Sequence, residues 1–335
     1  MSRHLIFGVG LIGGFMAGCF ASKGLSVSVF GRESMRKRFA GQLTVTDYLG
    51  NEAVTSDIDF VCADDAIKPF DFVWLTVKCT GLEQALLDMS PFVGPETVIL
   101  SCQNGLGCDH DVRKAFPCNE VRRVIMASNV AQESDAHLHR GSQGDLFVEE
   151  YTCRNGQNLA QQVSCDLLEA QNIENMEAYS WAKLQLNLAN AVNALADVPV
   201  KVMLGNRAYR RIISGAMSEL IAVAHASGII LPKMAAIPMH WIPKVLNTPN
   251  VLFSILGAKM MDIDPTVRTS MWWDLSAKRI TEVDFLNGAV VNRGHELGIA
   301  CPVNEKIVAL IHDVEKRADR APFSPDVFLQ RLKHV

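Results

Sequence analysis

No Cys-x-x-Cys pair occurs among the nine cysteines of this chain, and their number is odd. Zinc sites and disulfide frameworks both need paired spacing, so neither is supported, and free thiols in a reducing compartment are the simpler reading. Charge is not one-sided: 32 Lys and Arg against 36 Asp and Glu leave a net −4. No broad basic surface follows from that balance, and nothing in it calls for a nucleic-acid partner. After the N-terminal segment no apolar run of about 18 residues lacks a charge, which argues against a membrane span. Internal repeats and low-complexity tracts are missing as well. The expectation is a cytoplasmic protein with neither membrane nor metal.

The N-terminal segment is the exception to inspect. Leu5 to Ala21 is apolar behind Arg3 and imitates the core of a signal peptide, but five glycines punctuate residues 8 to 18. A second alternating strand comes directly after it, and a cleaved leader has no need of such patterning. With 335 residues, 49% of them hydrophobic, the chain can bury two cores.

Two textures divide it. Leu5-Ile6-Phe7 reads as a buried strand, Leu11 to Lys23 as a helix stopped by Gly24, and Leu25 to Phe30 as an alternating strand. Ser34 to Ala40 reads as a short basic helix, with strand-like pieces near Leu43–Thr46 and Phe60–Ala63. Phe72 to Val77, Leu82 to Met89 and Thr97 to Ser101 continue the alternation of strand and helix. That order predicts a parallel sheet with helices on both faces. Val121 to Glu149 reads as antiparallel strands added to one edge, turning at Gly141-Ser142. From about residue 174 the pattern becomes helical, with helices expected near 178–196, 206–227, 232–246, 250–261, 266–278, 281–297 and 302–318. The tail beyond Pro322 is expected to be loosely held. The predicted fold is an α/β Rossmann-type domain over 1–175 followed by an all-α domain over 176–335.

Gly8-x-Gly10-x-x-Gly13 lies between the first strand and the first helix. Gly8 permits the tight turn, Gly10 lets a pyrophosphate approach the backbone, and Gly13 lets helix and strand pack closely. The helix start at Leu11 and Ile12 offers unpaired N–H groups and partial positive charge to phosphates. A ligand-free strand–helix turn is the bland alternative. In NAD sites an acidic residue usually ends the second strand. Here that strand ends Val29-Phe30-Gly31-Arg32, with Arg36, Lys37 and Arg38 close behind. A guanidinium there suits a 2′-phosphate, which favours NADP(H). Glu33 lies one step further on, and a solvated basic helix face remains the alternative.

In the helix expected over Tyr179–Ala196, Lys183, Asn187 and Asn190 fall at i, i+4 and i+7 on one face. Asparagine is a poor helix former, so the stripe reads either as a lined pocket or as an unusual solvent face. Thr281-x-x-Asp284 ahead of Phe285-Leu286 has the form of a capping box, which puts Glu282 in a first helical turn.

Taken in order, several stretches resemble the ketopantoate reductase (2-dehydropantoate 2-reductase) family from Leu5 to about Ile311. The first domain contributes Gly8 to Gly13, Leu75-Thr76-Val77-Lys78 and Gln103-Asn104-Gly105. The second contributes Trp181 to Asn187, Thr269 to Asp274, Thr281 to Gly288, and Pro302-Val303-Asn304. The resemblance implies a helical domain like the C-terminal domain of 6-phosphogluconate dehydrogenase. It also implies reduction of 2-dehydropantoate by NADPH on the route to pantothenate. Lys183 would polarise the keto oxygen and supply a proton, Glu282 would bind the substrate hydroxyl, and Ser270 would help hold its carboxylate. Asn187 would orient the substrate, while Lys78 and Asn104 would line the cofactor side of the cleft between the domains.

Three departures fall on the substrate side. The family often has asparagine where this chain has Ala191, with Asn190 and Asn193 nearby, and again where it has Val267. Residues 234 to 265 form a longer apolar stretch than compact members need, which leaves room for a homodimer. A relative reducing another 2-keto acid or related carbonyl is therefore carried as an alternative, with a non-catalytic NADP(H) sensor as a third reading.

Overall fold

The structure is a computed structural model that describes residues 2–38, 41–56, 58–62, 68–317 and 319–332. The expected helix end at Phe39-Ala40 and strand end at Ala63 lie outside the described residues. The chain forms two compact units, Met1–Met176 and Glu177–Val335.

The first unit runs β1 (Arg3–Phe7), α1 (Leu11–Ser22), β2 (Ser26–Phe30), α2 (Glu33–Arg38), β3 (Leu43–Asp47), β4 (Glu52–Thr55) and β5 (Asp59–Phe60). It continues with β6 (Phe72–Leu75), α3 (Leu82–Met89), β7 (Val98–Ser101), α4 (Cys108–Ala115), β8 (Glu120–Met126) and β9 (Val130–Ser134). It ends with β10 (His137–Arg140), β11 (Leu146–Glu149), α5 (Leu159–Val163) and β12 (Ala170–Ile173).

Eight strands form one sheet in the order β12-β11-β8-β7-β6-β1-β2-β5. All neighbours are parallel except β8 and β11. Register aligns the strand ends. Phe7 pairs with Phe30 and with Leu75, and Leu75 pairs with Ser101. The loops after these four strands therefore emerge along one carboxyl edge, with the reversal of strand order between β1 and β6 at its middle. That is where ligands settle in open α/β sheets.

The β-rich stretch after residue 120 does not simply extend this edge. β8 joins parallel to β7 and β11 returns antiparallel, but β9 and β10 leave to form a second sheet in the order β4-β3-β10-β9. Helix α1 packs against strands of both sheets. This explains why eight of its 12 residues are buried and why it is apolar all round rather than on one stripe. Burying Phe15 and Phe20 completely contributes about 2–3 kcal/mol each.

The second unit comprises α6 (Met176–Asn187), α7 (Ala189–Ala196), α8 (Val200–Gly205), α9 (Arg207–Ala226), α10 (Ile242–Leu246), α11 (Asn250–Leu256) and α12 (Ser270–Ser276). It ends with α13 (Asn287–Leu297), α14 (Pro302–Glu315) and α15 (Pro325–Leu332). Helix α9 is central and packs against α7, α8, α10, α13, α14 and α15. The expected helix over 179–196 is parted at Leu188, yet Leu188 keeps right-handed helical angles and its N–H still reaches the Leu184 carbonyl at 3.1 Å. The side-chain stripe therefore continues from α6 into α7.

Other expectations need revision. The helix expected at 232–246 exists only from Met239, as a 3-10 turn leading into α10. Gly228 ends α9 in a left-handed conformation, with Ile229 N–H bonded to the Ala224 carbonyl. Pro232 and Pro238 then favour extended backbone. The tail is not loose throughout. Phe323 and Phe328 on and before α15 are buried, and the Tyr209 hydroxyl donates to the Phe323 carbonyl at 2.7 Å.

Candidate active site

At the carboxyl edge of the larger sheet the glycine turn shows three different constraints. Gly8 has φ +105°, and a Cβ there would stand 2.7 Å from Val77 Cγ1 and 2.8 Å from its backbone nitrogen. Gly13 faces the Gly8 carbonyl and the Thr76 hydroxyl so closely that a Cβ would overlap both. Around Gly10, its chain neighbours and own helix apart, none of the described residues lies within 4 Å of such a Cβ. Two glycines are thus required by protein neighbours, and the third faces open space. Helix α1 begins there without a side-chain cap and without an acidic residue in its first turn, which leaves the positive end of its dipole for an anion.

Neighbouring loops are fastened to this turn. The Thr76 hydroxyl donates to the Gly8 carbonyl at 2.5 Å. Gln103 Nε2 donates to the Leu75 carbonyl at 2.9 Å, and Cys79 Sγ donates to the Asn104 carbonyl at 3.0 Å. Exposed Lys78 and Asn104 thus stand on two loops that are tied together beside the turn. Gly31 packs against Val9, and the exposed Arg32 comes next in the chain. Glu33 pairs loosely with Arg36 at 4.0 Å. The open face at Gly10 and the uncapped start of α1 fit the phosphates of a nicotinamide dinucleotide.

In the helical unit Lys183, Asn187 and Asn190 are all half-buried, so the stripe is neither core nor open solvent face. Burial pulls the Lys183 amine from 10.5 down to about 8. Asn193 differs from Asn190. It is fully buried, its Nδ2 donates to the Val198 carbonyl at 2.7 Å, and its Oδ1 accepts from the Thr269 N–H at 3.1 Å. Asn193 is therefore committed to Val198 and to the backbone and hydroxyl of Thr269, whereas Asn190 is half-buried.

Thr269 caps α12 and also reaches the Asn190 carbonyl at 3.3 Å, which brings exposed Ser270 beside the end of the stripe. Glu282 is buried at 8% exposure. The capping box expected around it does not form as drawn. Thr281 Oγ1 accepts from Val283 N–H, a 3-10 turn spans Val283–Phe285, and α13 starts only at Asn287. Lys183 and Glu282 thus stand on separate elements of one unit. Sequence reading missed Arg210, fully buried on α9. It donates to the carbonyls of Leu246, Leu204 and Thr248, stacks on Phe253, and so fixes where α11 begins. Its only sequence signal was an arginine on the apolar side of a long helix.

Two family models match the chain, ketopantoate reductase PanE/ApbA over residues 4–152 and its C-terminal counterpart over 175–315. The chain belongs to the ketopantoate reductase family. It is an oxidoreductase acting on a CH–OH group. A protein named 2-dehydropantoate 2-reductase from Streptococcus pyogenes serotype M6 is 26% identical over 278 residues, 79% of this chain and 83% of that one. A crystal structure of a PanE/ApbA family ketopantoate reductase from Ralstonia eutropha JMP134 superposes with a TM-score of 0.77 at 26% identity. It covers 93% of this chain and 98% of that one. D-mandelate dehydrogenase, in its ternary structure with NADH and anilino(oxo)acetate, has the same fold, with a TM-score of 0.77 at 19% identity and the same two coverages.

Proposed function

We propose that this chain reduces 2-dehydropantoate to pantoate with NADPH and that Lys183 is the general acid. The observation that carries the reading is the Lys183 amine, brought by burial to about 8 beside two half-buried asparagines in a chain of this family. NADPH, when bound, supplies the hydride. The N–H groups of Leu11 and Ile12 and the open face of Gly10 hold its pyrophosphate, and Arg32 holds the 2′-phosphate. Lys78 and Asn104 stand on the cofactor side. Lys183, as an ammonium, donates to the keto oxygen and passes it a proton as negative charge develops there. An acid near 8 is still charged at neutral pH and gives up its proton more readily than a free lysine. Asn187 and Asn190 orient the substrate, Ser270 donates to its carboxylate, and Glu282 accepts from its hydroxyl.

One observation favours a second substrate. Ala191 and Val267 are apolar where the family often has asparagine, so neither offers a side-chain amide to a polar group of 2-dehydropantoate. A 2-keto acid with a less polar side chain does not need one. NADPH oxidation with 2-dehydropantoate and with a panel of other 2-keto acids separates the two. Turnover of 2-dehydropantoate with the highest kcat/KM supports the first reading; turnover of another acid alone supports the second.

The assembly is read as a homodimer through α11. That helix has no charged residue and leaves Val251, Leu252, Ile255 and Leu256 exposed, a face suited to its own copy. Nine free thiols fit a reducing cytoplasm, where they persist.

A further inference from the structure

Asn287 and the stretch Pro302-Val303-Asn304 have no task in the function above, although both asparagines are fully buried. Glu282, by contrast, has a task but sits on a short 3-10 turn with little stiffness of its own. Its carbonyl accepts from Phe285 N–H and Leu286 N–H, each at 3.1 Å. Where the backbone of Glu282 stands therefore depends on what the turn is fastened to.

Helix α14 fastens it at both ends. Before the turn, the Thr281 N–H donates to Glu315 Oε1 at 2.8 Å. After it, Asn287 Nδ2 donates to Asn304 Oδ1 at 2.9 Å. Asn304 and Glu315 are eleven positions apart, so they share one face of α14 about 16 Å apart along its axis. The rail is anchored in turn. Asn304 Nδ2 donates to the Ala216 carbonyl at 3.0 Å and to Glu219 Oε2 at 2.6 Å. The Glu219 carboxylate also accepts from the N–H groups of Val303 and Asn304 at 2.8 and 3.0 Å. Both amide protons of Asn304 are thus engaged by α9, and this orients its Oδ1 toward Asn287. Asn287 Oδ1 is buried with no partner among the described residues. An apolar pair would avoid that desolvation, so the amide pair fits a requirement of position rather than of stability.

We infer that Asn304 and Glu315 are positioning residues that hold the Glu282 turn, through Asn287 and Thr281, at the place where its carboxylate meets the substrate. The inference rests on the substrate-binding role proposed for Glu282. Loosening the turn then weakens substrate capture and leaves the cofactor domain untouched.

The test compares Glu282→Gln, Asn304→Ala, Glu315→Ala and Glu315→Gln by steady-state kinetics and by NADPH titration. Asn304→Ala and Glu315→Ala are expected to raise KM for the 2-keto acid about five- to fifty-fold, with NADPH affinity within about twofold of native. Glu315→Gln keeps the oxygen that Thr281 uses and should stay within about twofold of native. Added to Glu282→Gln, Glu315→Ala should change KM by less than about twofold, because the group it positions is already disabled. A folded Glu315→Ala enzyme with native KM overturns the inference, as does a full additional loss in the Glu282→Gln background. If Asn304→Ala does not fold, the Glu315 variants decide alone. A native KM in Glu282→Gln removes the role of Glu282 and the inference with it. A raised KM there, with native values in both alanine variants, removes only the positioning role.

Discussion

The hydroxyl of Thr76 donates to the Gly8 carbonyl at 2.5 Å and fills the space into which a methyl group on Gly13 would project. The closeness of α1 to the sheet edge thus depends on Gly13, while a Cβ on Gly10, three residues earlier, would meet none of the described residues beyond its own chain neighbours and helix. The two glycines should fail differently. Gly13→Ala is expected to lose about 1–3 kcal/mol of stability through overpacking. Gly10→Ala keeps an extended backbone that alanine tolerates, so thermal melting should stay native while NADPH affinity falls at least about tenfold. Native NADPH binding by Gly10→Ala would remove the pyrophosphate from this turn.

Arg32 is exposed two residues after β2, and the proposed preference for NADPH rests on it. Arg32→Ala should weaken NADPH by about ten- to a hundredfold and NADH by less than about threefold. Fluorescence titration with both cofactors checks this. Equal losses would reject the 2′-phosphate role.

His4 is fully buried in β1, where its Nδ1 accepts from Trp74 Nε1 at 3.2 Å and its ring stacks on Phe72. Burial lowers it from 6.5 to about 4, against a weaker opposing pull from Asp71. The unfolded chain therefore binds this proton first as pH falls. Above about 6.5 His4 is neutral in both states and contributes no slope. Between about 6.5 and 4 it should cost up to about 3 kcal/mol of stability. Urea unfolding across that window should be steeper in pH for the native chain than for His4→Phe. Identical slopes would show that His4 titrates normally.

Ile255 is 70% exposed on the uncharged α11. Ile255→Glu places charge on the proposed dimer face and should shift sedimentation to the monomer without lowering the melting temperature of the fold. An unchanged sedimentation coefficient would move the interface elsewhere or remove it.

The glycine turn, the strand–helix alternation and the change to helices near residue 174 were legible because each rests on local pattern. The second sheet was not. β3 meets β10 through pairs such as Thr46 with His139, 93 positions apart, and no local signal names so distant a partner. Arg210 was equally hidden, since a buried guanidinium needs the carbonyls of Leu204, Leu246 and Thr248 to be gathered around it first. In the site, the stripe of Lys183, Asn187 and Asn190 could be read from helical spacing. The different fate of Asn193 depended on the Thr269 backbone that arrives from another helix. Thr281 looked like a helix cap because the residue types fit. The chain makes a 3-10 turn instead, fastened by Glu315 and Asn304 from α14.

The most direct measurement is 2-dehydropantoate-dependent NADPH oxidation by the native chain and by Lys183→Ala, with NADPH affinity measured alongside. The account predicts turnover by the native protein and a kcat lower by about a hundredfold or more in the variant, at NADPH affinity within about twofold of native. Near-native turnover by Lys183→Ala would contradict the assignment of the general acid. A native protein that binds NADPH yet reduces no 2-keto acid would contradict the account as a whole.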